Sequence, residues 1–338
     1  MFHQSWWVHM NAEIKKLTEK SVKYSEKINT VIKEIEKVIV GQEDIIEKVM
    51  ISLIAKGHVL LEGAPGLAKT LLVKTLSDTT NLAFKRIQFT PDLLPADILG
   101  TRIYNHKEAS FTTQKGPIFA NLVLADEINR APPKVQSALL ESMQEKQVTI
   151  GKESFNLDEP FFVLATQNPI ETEGTYRLPE AQVDRFMFKL IVDYPNIKNS
   201  VEIIDRMTKN HVPSVKKIIS DKDLTSIQLF AKEIYVDEKV TDYVARIVDA
   251  TRNPKEYDLE ELEEQIDYGA SPRALIWLIL GAKANALLNS RGFVKPEDVL
   301  HIAKDVLRHR ILISYEAEAE DITSDMIIDK ILSKVKMP

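Results

Sequence analysis

The chain has 338 residues, with 50 acidic and 44 basic side chains, a net charge of −6, 44% hydrophobic residues and no cysteine. This hydrophobic share excludes a disordered chain, and the lack of cysteine excludes disulfides, thiolate metal sites and cysteine nucleophiles. The length predicts two domains, and the modest negative charge gives no sign of bulk attraction to nucleic acid.

The amino-terminal segment MFHQSWWVHM lacks the basic start and apolar stretch of a secretory signal. The longest apolar run, residues 274–282, is half of the ~18 residues of a membrane span and predicts a buried helix. We therefore expect a cytoplasmic protein without a membrane span. Met10 is an alternative natural start, which would make residues 1–9 an extension.

The first predicted element is an amphipathic helix. Apolar residues recur at three- and four-residue steps from Ile14 to Val38, with Lys and Glu between them. The pattern ends at Gly41 after too few heptads for a coiled coil, so residues 1–38 are assigned to one packed helix.

Short apolar runs then alternate with helical stretches as far as Tyr194. The four predicted strands are HVLLEG, FKRIQFT, NLVLADE and PFFVLATQN. This alternation is typical of a parallel sheet covered by helices on both faces. Pro195 and Asn196 punctuate its end, so residues 39–195 are predicted to form an α/β domain. His58, in the first strand, is predicted to be a core histidine with satisfied hydrogen bonds.

The remaining segments have a helical period. They are SVEIIDRMTKN, LTSIQLFAKEIY, EKVTDYVARIVDATR, SPRALIWLILGAKANALLNS and KPEDVLHIAKDVLRHRI. Residues 196–338 are therefore predicted to form an all-helical second domain.

The octapeptide GAPGLAKT, residues 63–70, lies between a predicted strand and a predicted helix. Backbone amides in such a loop can turn toward a phosphate, and the helix adds the positive end of its dipole. Lys69 would reach the β and γ phosphates, and the Thr70 hydroxyl would bind Mg²⁺. Ala68 stands where the usual pattern has a second glycine. The alternative is an ordinary strand–turn–helix with an incidental lysine.

Two carboxylates, Asp126 and Glu127, end the apolar strand LVLADE. The carboxyl ends of strands line the ligand crevice of a doubly wound sheet. Asp126 would therefore hold Mg²⁺ through its water shell, and Glu127 would orient or deprotonate the attacking water. The alternative for this pair is a solvated strand end. The seven histidines are scattered without a metal-binding pattern, so no zinc site is predicted.

The strings GAPGLAKT, LADEINRAPPKVQSALLESMQE, ATQNPIETEGTYRLPEAQVDRF and GASPRA together resemble the MoxR family of AAA+ ATPases, in the helix-2-insert clade. The resemblance extends from Ile39 to the last helices. It implies a P-loop NTPase core of the AAA+ type with a helical lid, and ATP and Mg²⁺ as cofactors. Phosphate loops of this family also carry Ala before the Lys, which answers the objection raised by Ala68.

The resemblance assigns the nucleotide contacts residue by residue. Val40 and Gly41, followed by Gln42, match the stretch that lies along the adenine. The residues implied to surround the phosphates are Gly63, Ala64, Pro65, Gly66, Leu67, Ala68, Lys69, Thr70 and Leu71.

Three further catalytic groups are implied in addition to Lys69 and Glu127. Asn168 matches sensor 1, which holds the attacking water. Arg185 matches the arginine finger that one subunit inserts into its neighbour's site. Arg273 matches sensor 2, which couples the lid to the nucleotide.

Each of these assignments has a plainer alternative. Asn168 precedes a proline and is also typical of a turn. Arg185 could instead form a surface ion pair with Asp184 or Glu180, and Arg273 could be a solvent-facing arginine.

Two further segments have the pattern of hairpins. One contains TRIY and ASFTT and resembles the insert in helix 2 of the clade, whereas QVTIGKESFNL precedes the sensor 1 strand. In relatives such hairpins point toward the ring pore or the substrate. The alternative is pairing at the edge of the main sheet.

The predicted function is an ATP-hydrolysing machine that remodels or matures a protein partner. The resemblance implies a homo-oligomeric ring, most simply a hexamer, and a von Willebrand factor A domain protein as a possible partner. Three alternatives stay open: a nucleic-acid motor of the same clade, a magnesium-chelatase-like motor subunit, and a scaffold that binds ATP without turning it over. The net charge argues against the nucleic-acid motor.

Overall fold

A parallel sheet forms the centre of the first domain. The computed structural model describes residues 2–64, 69–107, 109–169, 174–208 and 214–338. Its strands are β1 Val59–Gly63, β2 Phe84–Gln88, β3 Gly100–Asn105, β4 Ser110–Lys115, β5 Leu122–Asp126, β6 Gln147–Ile150, β7 Glu153–Asn156, β8 Phe162–Gln167, β9 Phe188–Val192, β10 Ile266–Tyr268 and β11 Leu312–Ile313. The strands β2, β5, β8, β1 and β9 pair in that order, all parallel.

Helices cover this sheet and build the second domain. They are α1 Phe2–Glu36, α2 Glu43–Ile54, α3 Lys69–Thr80, α4 Pro95–Leu99, α5 Pro133–Glu145, α6 Glu180–Val183, α7 Ile197–Met207, α8 Asp221–Glu233, α9 Glu238–Ala250, α10 Pro272–Leu288, α11 Pro296–Leu307, α12 Tyr315–Ala319 and α13 Ser324–Lys334. None of the helices in the described part of the chain combines the length and the apolar character that a membrane span needs.

The two faces of the sheet belong to two hydrophobic clusters. In β5, Leu122 and Leu124 face the cluster that includes α1, α2 and the second domain, whereas Val123 and Ala125 face the cluster that includes α5. Alternate residues of a strand point to opposite faces, so a strand buried on both sides is apolar throughout. The predicted α/β architecture with helices on both faces is therefore confirmed.

The predicted amphipathic helix is α1, whose buried stripe includes Ile28, Val31 and Ile35. The helical second domain is also observed, and it contains in addition the short antiparallel pair β10–β11, which the sequence analysis did not predict. Its first helix, α7, begins directly after Asn196, whose side chain accepts a hydrogen bond from the Asn199 amide. The domain boundary between residues 195 and 196 stays a prediction.

Both predicted hairpins form, as β3–β4 and β6–β7. Each is a two-stranded sheet of its own rather than an extension of the five-stranded sheet. The alternative of pairing at the edge of the main sheet is therefore not what the structure shows.

His58 is a buried and satisfied histidine, as predicted. Its Nδ1 accepts a hydrogen bond from the Val163 amide at 3.0 Å, so its protonated Nε2 donates to the Met143 carbonyl, 3.3 Å away. Burial lowers the pKa of His58 from 6.5 to about 4. The unfolded chain therefore binds a proton more readily than the folded one between these pH values.

We expect the free energy of unfolding to decrease as the pH falls from about 6.5 to about 4, with His58 contributing at most about 3 kcal/mol of the loss. His58→Gln can keep both hydrogen bonds but cannot titrate, so it should reduce this pH dependence. His309, whose pKa burial also lowers, would account for part of the remainder. Urea denaturation at several pH values measures the effect. His106→Gln, at an exposed position, is the control; an unchanged slope for His58→Gln would contradict the assignment.

Candidate nucleotide site

The predicted phosphate-binding residues meet at one edge of the sheet. β1 ends at Gly63, β5 ends at Asp126, and the parallel strand β8 lies between these two strands. Their carboxyl ends open on the same edge, which is where ligands bind in open α/β sheets. Helix α3 begins at Lys69 and directs its amino end toward this edge.

Lys69 lies at the centre of this arrangement. Its Nζ donates a hydrogen bond to the carbonyl oxygen of Gly63 at 2.5 Å. Burial lowers the pKa of the Lys69 ammonium below its usual value, and three nearby carboxylates oppose that shift. They belong to Asp126, Glu127 and Glu62. The ammonium thus lies between Gly63, at the start of the loop, and the carboxylates of Asp126 and Glu127, which are predicted to bind Mg²⁺ and the attacking water.

The structure describes the two ends of the loop. A Cβ on Gly63 would lie 2.6 Å from the carbonyl oxygen of Val192 in β9, so glycine is required here by strand packing. Ala64 is buried, whereas Thr70 and Leu71 are half-buried in the first turn of α3. Pro65, Gly66, Leu67 and Ala68 lie outside the described residues, and their role stays a prediction.

The stretch assigned to the adenine lies against the second domain. Gly41 has a positive φ of 71°, and a Cβ there would lie 2.1 Å from Nδ2 of Asn199 in α7. A cavity beside α3 is lined by Val38 and Leu71 together with residues of the segment that follows α7. Val40, which is buried, lies between Val38 and Gly41 in the chain. The cavity beside α3 is thus lined by Val38, Leu71 and Val215 together with polar side chains.

Asp126 is held by two neighbouring strands. One carboxylate oxygen accepts hydrogen bonds from Nε and Nη2 of Arg86 in β2, at 3.0 and 2.6 Å. The other accepts from the hydroxyl of Thr166 in β8 at 2.6 Å. The carboxylate is thus fixed at the strand ends, beside the Arg86 guanidinium.

Glu127 adopts an unusual backbone conformation. Its φ and ψ of 56° and 50° lie in the left-handed region, which is sparsely populated by residues other than glycine. The amide donates to the hydroxyl of Thr166 at 2.9 Å, while Oε2 accepts from Gln88 at 2.8 Å and from Arg130 at 3.0 Å. The strand end therefore turns at Glu127 and holds its carboxylate in one position.

Asn168 completes this group. It follows the last residue of β8, two positions after Thr166, and only 6% of its surface is exposed. Residues two positions apart point to the same side of a strand. If the alternation continues past Gln167, the end of β8, we expect Asn168 on the side from which Thr166 contacts Asp126 and Glu127.

The donor set fits a hard divalent cation. Mg²⁺ prefers oxygen ligands and is usually held by one or two carboxylates or hydroxyls together with substrate phosphates. Thr70 supplies a hydroxyl and Asp126 a carboxylate at this edge. Within the described ranges, no cluster of three or more His, Cys, Asp or Glu side chains forms an all-protein metal site.

The structure does not bring Arg185 to these residues. Val59 pairs with Phe188, so β1 and β9 begin at the edge opposite Lys69. Arg185 lies three residues before β9 and shares a groove with His58, which precedes β1. The five residues of β1 span about 13 Å between the two edges. In this arrangement Arg185 lies at the edge of the sheet opposite Lys69, so it cannot contact phosphates bound by its own chain.

Arg273 lies with Arg185 rather than with Lys69. Its Nη1 forms an ion pair with the carboxylate of Asp184 at 3.0 Å, and it lines the same groove as Arg185. The alternative of a purely solvent-facing side chain is not observed. The assignment of Arg273 as a residue that contacts the nucleotide of its own chain is not supported by this position.

Arg185 makes a contact that the sequence analysis did not anticipate. Its Nη1 donates to the carbonyl oxygen of Leu140 in α5 at 2.9 Å, and its buried Nε has no hydrogen-bond partner among the described residues. Asp184 pairs with Arg273 and Arg310, and Glu180 pairs with Arg177. The alternative of an Arg185 ion pair with either carboxylate is therefore not observed in the described part of the chain.

Sequence reasoning missed four residues that shape the site. Arg86, Gln88 and Thr166 contact the two carboxylates from neighbouring strands, and Asp184 contacts Arg273 from the other domain. The available signal was the polar character of β2, in which Lys85, Arg86 and Gln88 are three of the five residues.

Comparison with known proteins identifies the family. Residues 58–188 match the family described as ATPases associated with various cellular activities (AAA), and residues 260–331 match the AAA lid domain. The chain is 48% identical over 305 residues to chaperone MoxR1 of Mycobacterium tuberculosis, covering 90% of this chain and 81% of the relative. It is 43% identical to YeaC of Bacillus subtilis, an uncharacterized protein, over 91% of this chain and 93% of that protein.

More distant relatives and a solved structure agree with this assignment. Protein MoxR of Methylorubrum extorquens is 27% identical over 87% of this chain and 91% of its own length. A crystal structure of a protein from Cytophaga hutchinsonii superposes with a TM-score of 0.90 at 51% identity, covering 96% of this chain and 99% of that one. The matches span both domains, and the chain therefore belongs to the MoxR family of AAA+ ATPases.

Proposed function

We propose that this protein is a Mg²⁺-dependent ATPase that works as a closed ring, most simply a hexamer, in which each copy completes the nucleotide site of the next. The observation that carries this proposal is the placement of Arg185 and Arg273 at the edge of the sheet opposite Lys69. A head-to-tail contact between two different faces forms a ring when the rotation closes. In such a ring the arginines of one copy can reach the phosphates of its neighbour.

Within one copy the proposed roles follow from position. Lys69 and the loop before it bind the phosphates, and Val40 and Gly41 lie along the base. Thr70 and Asp126 hold Mg²⁺, which would neutralise charge on the β and γ phosphates.

Hydrolysis uses the two groups that lie beside Thr166. Glu127 orients the attacking water and accepts its proton, and Asn168 donates a hydrogen bond that holds this water near the γ phosphate. The fixed backbone and hydrogen bonds of Glu127 support this role, because a base must be held in line with its water.

We further propose that ATP turnover remodels or matures a protein partner, for which a von Willebrand factor A domain protein is a candidate. Support comes from the β3–β4 hairpin, which exposes Ile103, Tyr104 and Phe111 away from both cores. Exposed aromatic clusters are typical of protein contact sites. The name of the relative chaperone MoxR1 points the same way. Stimulation of ATP turnover severalfold by single-stranded DNA at physiological salt would instead favour the nucleic-acid motor.

Glu127→Gln should leave ATP binding intact and lower turnover by about 10²–10⁴-fold, because the amide cannot accept the proton of the attacking water. Steady-state phosphate release and binding of a fluorescent ATP analogue measure the two properties separately. Glu233→Gln, an exposed position at the end of α8, is the control and should change neither. Undiminished hydrolysis by Glu127→Gln would remove this residue from the role of base.

Arg185→Ala and Lys69→Ala should each abolish turnover alone, while a mixture of the two should recover it. Arg185→Ala keeps an intact nucleotide face, which carries Lys69, Asp126 and Glu127, whereas Lys69→Ala keeps an intact arginine face, which carries Arg185 and Arg273. About a quarter of the contacts between copies in a randomly mixed ring therefore pair two intact faces. Turnover is measured after mixing and reassembly, with assembly followed by gel filtration.

The matched control mixes Lys69→Ala with Glu127→Gln. Both defects lie on the nucleotide face, so this mixture should stay inactive. If Arg185→Ala with Lys69→Ala assembles and recovers nothing, action of Arg185 on a neighbouring site is contradicted.

A further inference from the structure

Asp184 joins the two domains next to both arginines. It precedes Arg185 in the chain, and its carboxylate contacts three side chains of the second domain. Oδ2 pairs with Nη1 of Arg273 at 3.0 Å, while Oδ1 accepts from Ser271 at 2.8 Å and from Nε of Arg310 at 2.9 Å. Only 14% of the Asp184 side chain is exposed. The Asp184 carboxylate therefore connects the core segment before β9 to the start of α10 and to Arg310.

Arg310 fixes the backbone on which Asp184 and Arg185 stand. Its side chain is fully buried and also donates to the carbonyl oxygens of Asp184, Phe186 and Met187, at 2.8, 2.5 and 3.2 Å. A buried cation with this many acceptors holds them in place, because each lost contact would leave a charge or dipole unsatisfied. Arg310 of the second domain thus holds the backbone segment that leads into β9.

Arg273 is attached to Asp184 at one end only. The ion pair uses Nη1, and Nη2 lies 3.4 Å from Oε1 of Gln144. A guanidinium group has five N–H donors, and 42% of the Arg273 side chain is exposed. The contact with Asp184 therefore sets the position of the group and leaves further donors for a phosphate.

We infer that Asp184 is a positioning residue that holds Arg273 beside Arg185, so that both guanidinium groups are presented together to the nucleotide of a neighbouring copy. This inference rests on the proposed function, since it requires the arginines to act on another copy. Asp184 itself does not reach the phosphates. It acts through Arg273 by the ion pair and through Arg185 by the backbone segment that the two residues share.

A purely structural role would have a different consequence. If Asp184 only held the domains together, its loss would damage the nucleotide face and the arginine face alike. If Asp184 positions the arginines, its loss damages the arginine face alone. Mixing with variants whose defect lies on a known face separates the two cases.

Asp184→Asn keeps the shape of the side chain and removes its charge. Alone, it should lower kcat at least about tenfold, since a misplacement of ~1 Å costs up to ~10²-fold in rate, while KM and binding of a fluorescent ATP analogue stay unchanged. Mixed with Lys69→Ala, it should recover turnover to the level of the Arg185→Ala and Lys69→Ala mixture. Mixed with Arg185→Ala, it should recover nothing, because both chains then lack a working arginine face.

A companion variant keeps the counter-charge of the buried Arg310. Asp184→Glu moves the carboxylate by one methylene group, so the fold retains its ion pair and Arg273 is displaced. We expect it to bind ATP normally, to lower kcat severalfold, and to be complemented by Lys69→Ala. It provides the same test if the neutral Asp184→Asn chain does not fold.

Three outcomes would overturn the inference. Wild-type kcat in Asp184→Glu or in a folded Asp184→Asn would show that the carboxylate does not position the arginines. Failure of Lys69→Ala to complement the Asp184 variants, while it complements Arg185→Ala, would assign Asp184 to both faces. Failure of the Arg185→Ala and Lys69→Ala mixture itself would remove the proposed action between copies, and this inference with it.

Discussion

The parallel pairing of β1 with β8 and β9 is the constraint on which the rest of this structure depends. Parallel strands share one direction, so every carboxyl end opens on one edge and every amino end on the other. Asp126 ends β5, Glu127 follows it and Lys69 follows the loop after β1, so the three residues converge at one edge. Arg185 precedes a strand and is kept about one strand length away. Under the proposed function a complete site would consequently require two copies, and the sheet that assembles the nucleotide face also separates it from the arginine face.

The nucleotide face combines one rigid and one exchangeable contact. Thr166 bonds both the carboxylate of Asp126 and the amide of Glu127, and it is buried, so these two residues move together. The ion pair of Asp126 with Arg86 is different, since 48% of the Arg86 side chain is exposed. Under the proposed function, Asp126 would exchange this partner for the water shell of a cation while the hydrogen bonds of Thr166 keep Asp126 and Glu127 in place.

The part of this arrangement that sequence predicted is local, and the part it missed is not. GAPGLAKT and the Asp126–Glu127 pair are recognisable because a loop or strand end carries its own residue types. The roles of Thr166 and Arg86 arise from the register of neighbouring strands, which a single sequence does not display. β9 was missed as a strand because FKLIV follows directly on a helical segment and pairs with β1, far away in the chain. The Asp184–Arg273 contact joins residues 89 positions apart.

Placing the two arginines on different domains makes the arginine face depend on how those domains meet. Arg185 belongs to the core and Arg273 to the start of α10, and the contacts of Asp184 with Ser271 and Arg310 form only when the second domain is docked as observed. A rotation of that domain would separate Arg273 from Arg185 and would also change the contact of Asn199 with Gly41 at the nucleotide edge. Because ATP binding is expected not to depend on the arginines, their alignment would act on the transition state of hydrolysis rather than on nucleotide affinity. The same carboxylate that aligns two side chains would then couple the domain arrangement of one copy to the rate of hydrolysis in the next.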